Sequence, residues 1–143
     1  MSEAQFEAVI ARAKTADRVG AKVYPLVAPR DGAGKLPVPP YAVGQPSDGV
    51  DTQEHFMGAR STAHPRVILH VVGSSYSNCQ KTMEQIKGKF IDPVTKFPIP
   101  LSVPGETFRN FRFDTPLPVQ VDNDVTPPLI YATAELTWDA DPT

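Results

Sequence analysis

The spacing of apolar positions changes once, sharply, in the middle of the chain. Over residues 67–73 the odd positions Val67, Leu69 and Val71 are all apolar, whereas Arg66, Ile68, His70 and Val72 are mixed. β-Branched side chains at a period of two predict a strand. One wholly apolar face and one mixed face place that strand centrally, covered on one side and partly on the other. Gly73 and two serines break the run. Tyr76, Cys79, Met83, Ile86 and Phe90 then recur at intervals of three and four. That spacing predicts an amphipathic helix, ending near Gly88, that folds back onto the sheet. Ser75 or Ser77 can cap it, and Ser77 with Gln80 has capping-box spacing.

The same reading extends to both ends. Phe6, Val9, Ile10 and Ala13 form a helical stripe within residues 2–16. Ser2 with Gln5 has capping-box spacing, and Glu3 and Glu7 suit the positive end of the helix dipole. Val19-Gly20 ends this helix. Residues 22–27 read as a short strand, at an edge because of Pro25. Residues 28–40 are a loop, 41–45 a second short strand, 46–59 a polar hairpin arm, and 61–73 the return strand, bent at Pro65. Residues 92–105 are punctuated by proline. Residues 108–113 read as a strand in which Phe111 breaks alternation with Phe108. Residues 117–121 are extended, and Asp122-Asn123-Asp124 is turn material. In 129–138, Ile130, Ala132, Ala134, Leu136 and Trp138 alternate with Tyr131, Thr133, Glu135 and Thr137. This order predicts an α+β fold, with a mostly antiparallel or mixed sheet, two helices on one face, long loops and a hairpin arm. The length fits one domain over residues 1–143.

Composition narrows the function classes. The net charge is -2, so no cationic field exists to hold nucleic acid non-specifically. The one cysteine, Cys79, excludes a disulfide framework within the chain and fits a reducing compartment. The N-terminus has acidic residues where a secretion signal is basic, and no apolar run is long enough to span a bilayer. The chain therefore reads as soluble, with no membrane partner. Eight of its 16 prolines lie between Pro93 and Pro128, so that region is loop-rich or built of interrupted edge strands.

Candidate chemistry is sparse. Gly32-Ala33-Gly34-Lys35 resembles part of a phosphate-binding loop, but Pro29 stands where the first glycine belongs and Leu36 where Ser or Thr belongs. His55, His64 and His70 have no ligand spacing, so no metal site is expected. Cys79 on an apolar stripe reads as a core residue rather than a nucleophile. Asp122 with Asp124, and Asp139 with Asp141, are possible acid–base pairs, read instead as a turn and a solvated tail. Phe108, Phe111 and Phe113 interleave with Arg109 and Arg112, a pattern that can stack on single-stranded nucleic acid. With an acidic chain, a strand of a core or subunit interface is the better reading. No catalytic residue, metal or cofactor is expected. Long polar excursions of this kind are commonly ordered by partners.

Val23-Tyr24-Pro25, then Pro40-Tyr41-Ala42-Val43-Gly44-Gln45, then a polar arm, then Pro65-Arg66-Val67-Ile68-Leu69-His70-Val71 running into a helix form an ordered series. Over residues 1–90 it resembles the tail terminator (tail-completion) proteins of bacteriophages with long non-contractile tails. The resemblance implies a structural, non-enzymatic virion protein at the tail neck, assembled in the host cytoplasm. It implies a ring, usually of six subunits, that caps the head-proximal end of the tail tube. Its partners are then copies of itself, the tail tube protein and a head-completion or stopper protein, with DNA passing through the lumen without specific binding. Asp48, Asp51, Glu54, His55 and Arg60 on the arm are the candidate contacts with subunits or partners. The alternatives are another neck protein, a head–tail stopper or adaptor, or a small enzyme using His70 or His55 with a carboxylate.

Overall fold

The computed structural model describes residues 3–47, 52–53, 61–62, 64–124 and 127–142. Helix α1 (Glu3–Ala13) and a single 3-10 turn (Asp17–Val19) lead into strand β1 (Val23–Pro25). Strand β2 (Tyr41–Ser47) is followed by two short strands, β3 (Thr52–Gln53) and β4 (Ser61–Thr62). Then come β5 (Arg66–Gly73), helix α2 (Tyr76–Phe90), β6 (Glu106–Asp114), β7 (Gln120–Asp122) and β8 (Leu129–Pro142). The main sheet runs β1-β2-β5-β8-β6, with β7 also on β8. The β1–β2 pair is parallel and every other pair antiparallel. The fold is thus the expected α+β arrangement with a mixed sheet. The parallel pair follows from the long connection 26–40, which carries the chain back to the start of the layer before β2 begins.

The central strand is β5, between β2 and β8. Val67, Leu69 and Val71 are fully buried on the helix side, as their alternation requires. They meet Ala42, Ala132, Ala134 and Leu136 of the flanking strands. Helix α2 lays Cys79, Met83, Ile86 and Phe90 over this layer. Each such burial contributes about 1.5–3 kcal/mol. Tyr76 departs from the expected stripe and is exposed. It opens the first turn of α2, where its hydroxyl accepts from Gln80. The cap is Ser75, whose hydroxyl accepts from the Asn78 amide, so Ser77 and Gln80 do not form the capping box. Helix α2 also passes Gly88 and ends at Phe90, because Phe90 is itself anchored in the core.

Helix α1 covers the other end of the layer. Gly44 leaves room for it: a Cβ there would lie 2.5 Å from Ile10 Cδ1. Arg12 ties α1 to the C-terminal end of α2 and the segment beyond it, donating to the carbonyls of Lys89 at 3.0 Å and Pro100 at 2.9 Å. Buried Gln5 donates to Glu106 at 2.8 Å.

The break in alternation at Phe111 is a β-bulge. Register shifts between Arg109 and Arg112, and Asn110 takes φ 55°, a conformation asparagine tolerates better than most residues. The extra residue turns Phe108, Phe111 and Phe113 to the same side. Phe111 stacks on Phe90 at 5.6 Å and on Trp138 at 5.8 Å, and Phe108 on Trp138 at 5.5 Å. These rings form a core and are not displayed for stacking on bases. Strand β8 also runs further than its alternation predicts. Asp139 and Asp141 belong to it and not to a solvated tail, because Arg109 on β6 pairs with both.

Candidate functional site

The arm candidates Asp48, Asp51, Glu54, His55 and Arg60 lie outside the described residues. The described part of the arm is a ladder in which Thr52 faces Thr62 and Gln53 faces Ser61, as a hairpin arm requires. Its return passes Pro65 into β5. At its root, His64 Nδ1 lies 2.7 Å from Asp139 Oδ1. Asn110 donates to the other oxygen of Asp139 at 2.8 Å. Arg109 approaches Asp139 at 3.8 Å and binds Asp141. The Asn110 hydrogen bond first, then the His64 contact and the Arg109 charge, hold the Asp139 carboxyl below its usual range. The cluster is half-exposed, and its carboxylates are committed to structural partners. It ties the bulged edge strand to the base of the arm.

His70 lies on the face of the sheet away from the helices. It hydrogen-bonds Thr133 Oγ1 at 3.1 Å and meets the Tyr131 ring edge-on at 6.0 Å. Burial pushes its pKa below the ordinary value. It lines an open basin of about 650 Å3 with Asp122, Asn123, Asp124 and Tyr131. The basin's carboxylates belong to a turn in which Asp122 accepts from the Asp124 amide at 3.0 Å. A threonine, not a carboxylate, orients the ring, so the catalytic arrangement in which an acid fixes the base is not built at this position.

Cys79 is buried and donates to the Val71 carbonyl at 3.4 Å. Burial pushes its thiol pKa up, which keeps it a protonated core residue. In the 28–40 loop, Asp31 accepts from the amides of Ala33 and Lys35 at 2.9 Å each. A carboxylate thus occupies the amides that a phosphate would need. Among the described residues no group of three or more His, Cys, Asp or Glu side chains is placed to hold a metal ion. No helix of the described residues is long and apolar enough to cross a membrane.

What the surface does display is apolar side chains on ordered loops. Residues 91–98 form a closed loop. Ile91 bridges Pro98, the Asp92 amide donates to the Phe97 carbonyl at 2.9 Å, and the Lys96 amide to the Asp92 carbonyl at 2.8 Å. The Asp92 carboxylate accepts from the Val94 and Thr95 amides. These bonds hold Val94 and Phe97 outward, 86% and 72% exposed. A cleft of about 580 Å3 with mixed charge separates this loop from Arg112 and Asp114 of β6. At the other end of the sheet, Leu26 leaves β1 at φ 70°, 57% exposed. It rims a cleft of about 540 Å3 with Phe6, Ile10, Pro25 and Pro46. Val94 and Phe97 were not singled out from the sequence; apolar residues in a proline-punctuated loop are the signal that could have found the first of these surfaces. The second depends on tertiary placement alone.

No family model matches the chain, and no curated protein matches its sequence. Its fold is similar to that of a solved chain from the virion of a native gene transfer agent (GTA) particle. The TM-score is 0.65 at 14% identity, over 94% of this chain and 92% of that one. At that identity the likeness is one of fold.

Proposed function

We propose that this chain is a structural virion protein. In this reading it forms a ring, of six subunits, on the head-proximal end of a phage-type tail tube. The ring ends tube polymerisation and offers the surface on which the head is joined. The observation that carries the reading is the end-to-end fold likeness to a chain of a GTA virion, which agrees with the resemblance of residues 1–90 to tail terminators. The role is structural rather than catalytic, in keeping with a buried Cys79 and a His70 oriented by threonine. The partners are further copies of the chain, the tail tube protein and a head-completion or stopper protein. The net charge of -2 suits a lumen through which DNA slides without being held. The arm, with Asp48, Asp51, Glu54, His55 and Arg60, reaches toward a neighbour or the tube.

Electron microscopy of the purified chain, alone and mixed with tail tube protein, tests this. The expected result is closed rings, and tubes capped at one end. Monomers under both conditions overturn it. A chain found on tail-less heads rather than on isolated tails moves the role to a stopper or adaptor. Deleting the tip of the 46–59 arm is expected to leave the fold intact and weaken assembly. Intact rings after the deletion remove the arm from the contact.

A further inference from the structure

We propose that the 91–98 loop of one copy docks into the α1–β1 cleft of the next copy, with Phe97 and Val94 as the anchors. The inference rests on the ring reading and names the surface that builds it.

Three observations carry it. The first is placement. The cleft lies where α1 covers β1 and β2, whereas the loop lies beside β6. Arg12 holds the loop's two stems at Lys89 and Pro100, and helical spacing puts it on the side of α1 opposite Glu3, Glu7 and Ile10, which line the cleft. Two different surfaces, on the two sides of α1, make a head-to-tail contact, the kind that closes into a ring when the rotation permits.

The second is chemistry. An exposed aromatic and an exposed β-branched residue stand on a loop already fixed by its own hydrogen bonds. Little freedom is then lost on docking. The cleft offers Phe6, Ile10 and Leu26 as an apolar floor and rim. Aromatic anchors in such pockets carry most of the binding energy of interfaces.

The third is charge. Lys96, next to Phe97, is exposed and acts on the Asp92 carboxylate of its own loop; the cleft rim carries exposed Glu3 and Glu7, one helical turn apart, against the single cation Lys14, a net negative rim. Lys96, Glu3 and Glu7 form no salt bridge among the described residues. Docking the loop brings Lys96 to these carboxylates, which fixes the orientation of the contact.

The test uses the full chain, with assembly followed by mass photometry across a concentration series and folding by thermal melts. Phe97→Asp is expected to melt like the wild type, since the side chain is exposed, and to weaken assembly at least tenfold. Lys96→Glu is expected to weaken assembly a few-fold, and adding Glu7→Lys to that chain to restore it. Should Phe97→Asp lower the melting temperature, the charge exchange decides alone. Rings that persist with unchanged concentration dependence in both Phe97→Asp and Lys96→Glu overturn this contact and leave the ring standing. A wild-type chain that stays monomeric, even with tube protein, removes the ring itself.

Discussion

Gly73→Ala tests how firmly α2 is seated. Gly73 ends β5 directly beneath the first turn of α2. A Cβ at this position would sit 2.6 Å from the Cys79 backbone nitrogen and 2.8 Å from its Cα. Its φ lies outside the left-handed region, so the substitution carries no backbone strain and the whole cost is steric. Ordinary contact requires the helix backbone to retreat by roughly 1 Å. The helix cannot do so freely, because Cys79, Thr82, Met83, Ile86 and Phe90 are all buried. Overpacking of this kind costs about 1–3 kcal/mol. For a chain of this length that is a fall in melting temperature of about 3–12 °C. Gly44→Ala is the control. Its nearest obstacle, at 2.5 Å, is the Ile10 Cδ1 tip of a flexible side chain, which can turn aside for about 1 kcal/mol. The single tryptophan, Trp138, is buried, so its fluorescence reports unfolding in both variants. A Gly73→Ala protein as stable as wild type, or less affected than Gly44→Ala, would show that α2 does not press on the end of β5.

Two further outcomes concern the core and the open face of the sheet. Ile86→Ala, at a fully buried position, is expected to cost about 2–5 kcal/mol in urea unfolding, and a wild-type midpoint would contradict the placement of α2. His70 has a pKa lowered by burial from 6.5, so the unfolded chain binds its proton at higher pH than the folded chain does. Its contribution is complete above pH 6.5 and is lost as pH falls below that value toward the lower folded pKa. His70→Gln should flatten this part of the stability–pH curve, and an unchanged slope would place the effect elsewhere.

The layers were readable because burial imposes a period. Val67, Leu69 and Val71 had to face the same way, as did Cys79, Met83, Ile86 and Phe90, and they do. What escaped was fixed by single residues acting in tertiary context. Asn110 reverses the facing of Phe111 through one positive φ, and the pattern shows only an irregularity. Asp139 and Asp141 look like a solvated end until Arg109 is placed beside them. The direction of the β1–β2 pair depends on where a long connection returns, and no local signal carries that. The exposed apolar surfaces were not read from the sequence, which pointed to the arm instead. Val94 and Phe97 are out of place in a loop, but the cleft at Leu26 exists only once α1 lies against β1.

The edge beyond β8 has a bearing on how copies of this chain avoid each other. Its backbone is presented in three short lengths, Glu106–Arg109, Arg112–Asp114 and Gln120–Asp122, separated by the bulge and by the proline-bearing segment 115–119. No length is long enough to template a foreign strand, and the twist changes at each interruption. Uncontrolled stacking through main-chain ladders, the route to fibrils, is therefore closed off at that edge. Recognition at that edge is left to side chains, which can be specific about angle and number where a ladder cannot.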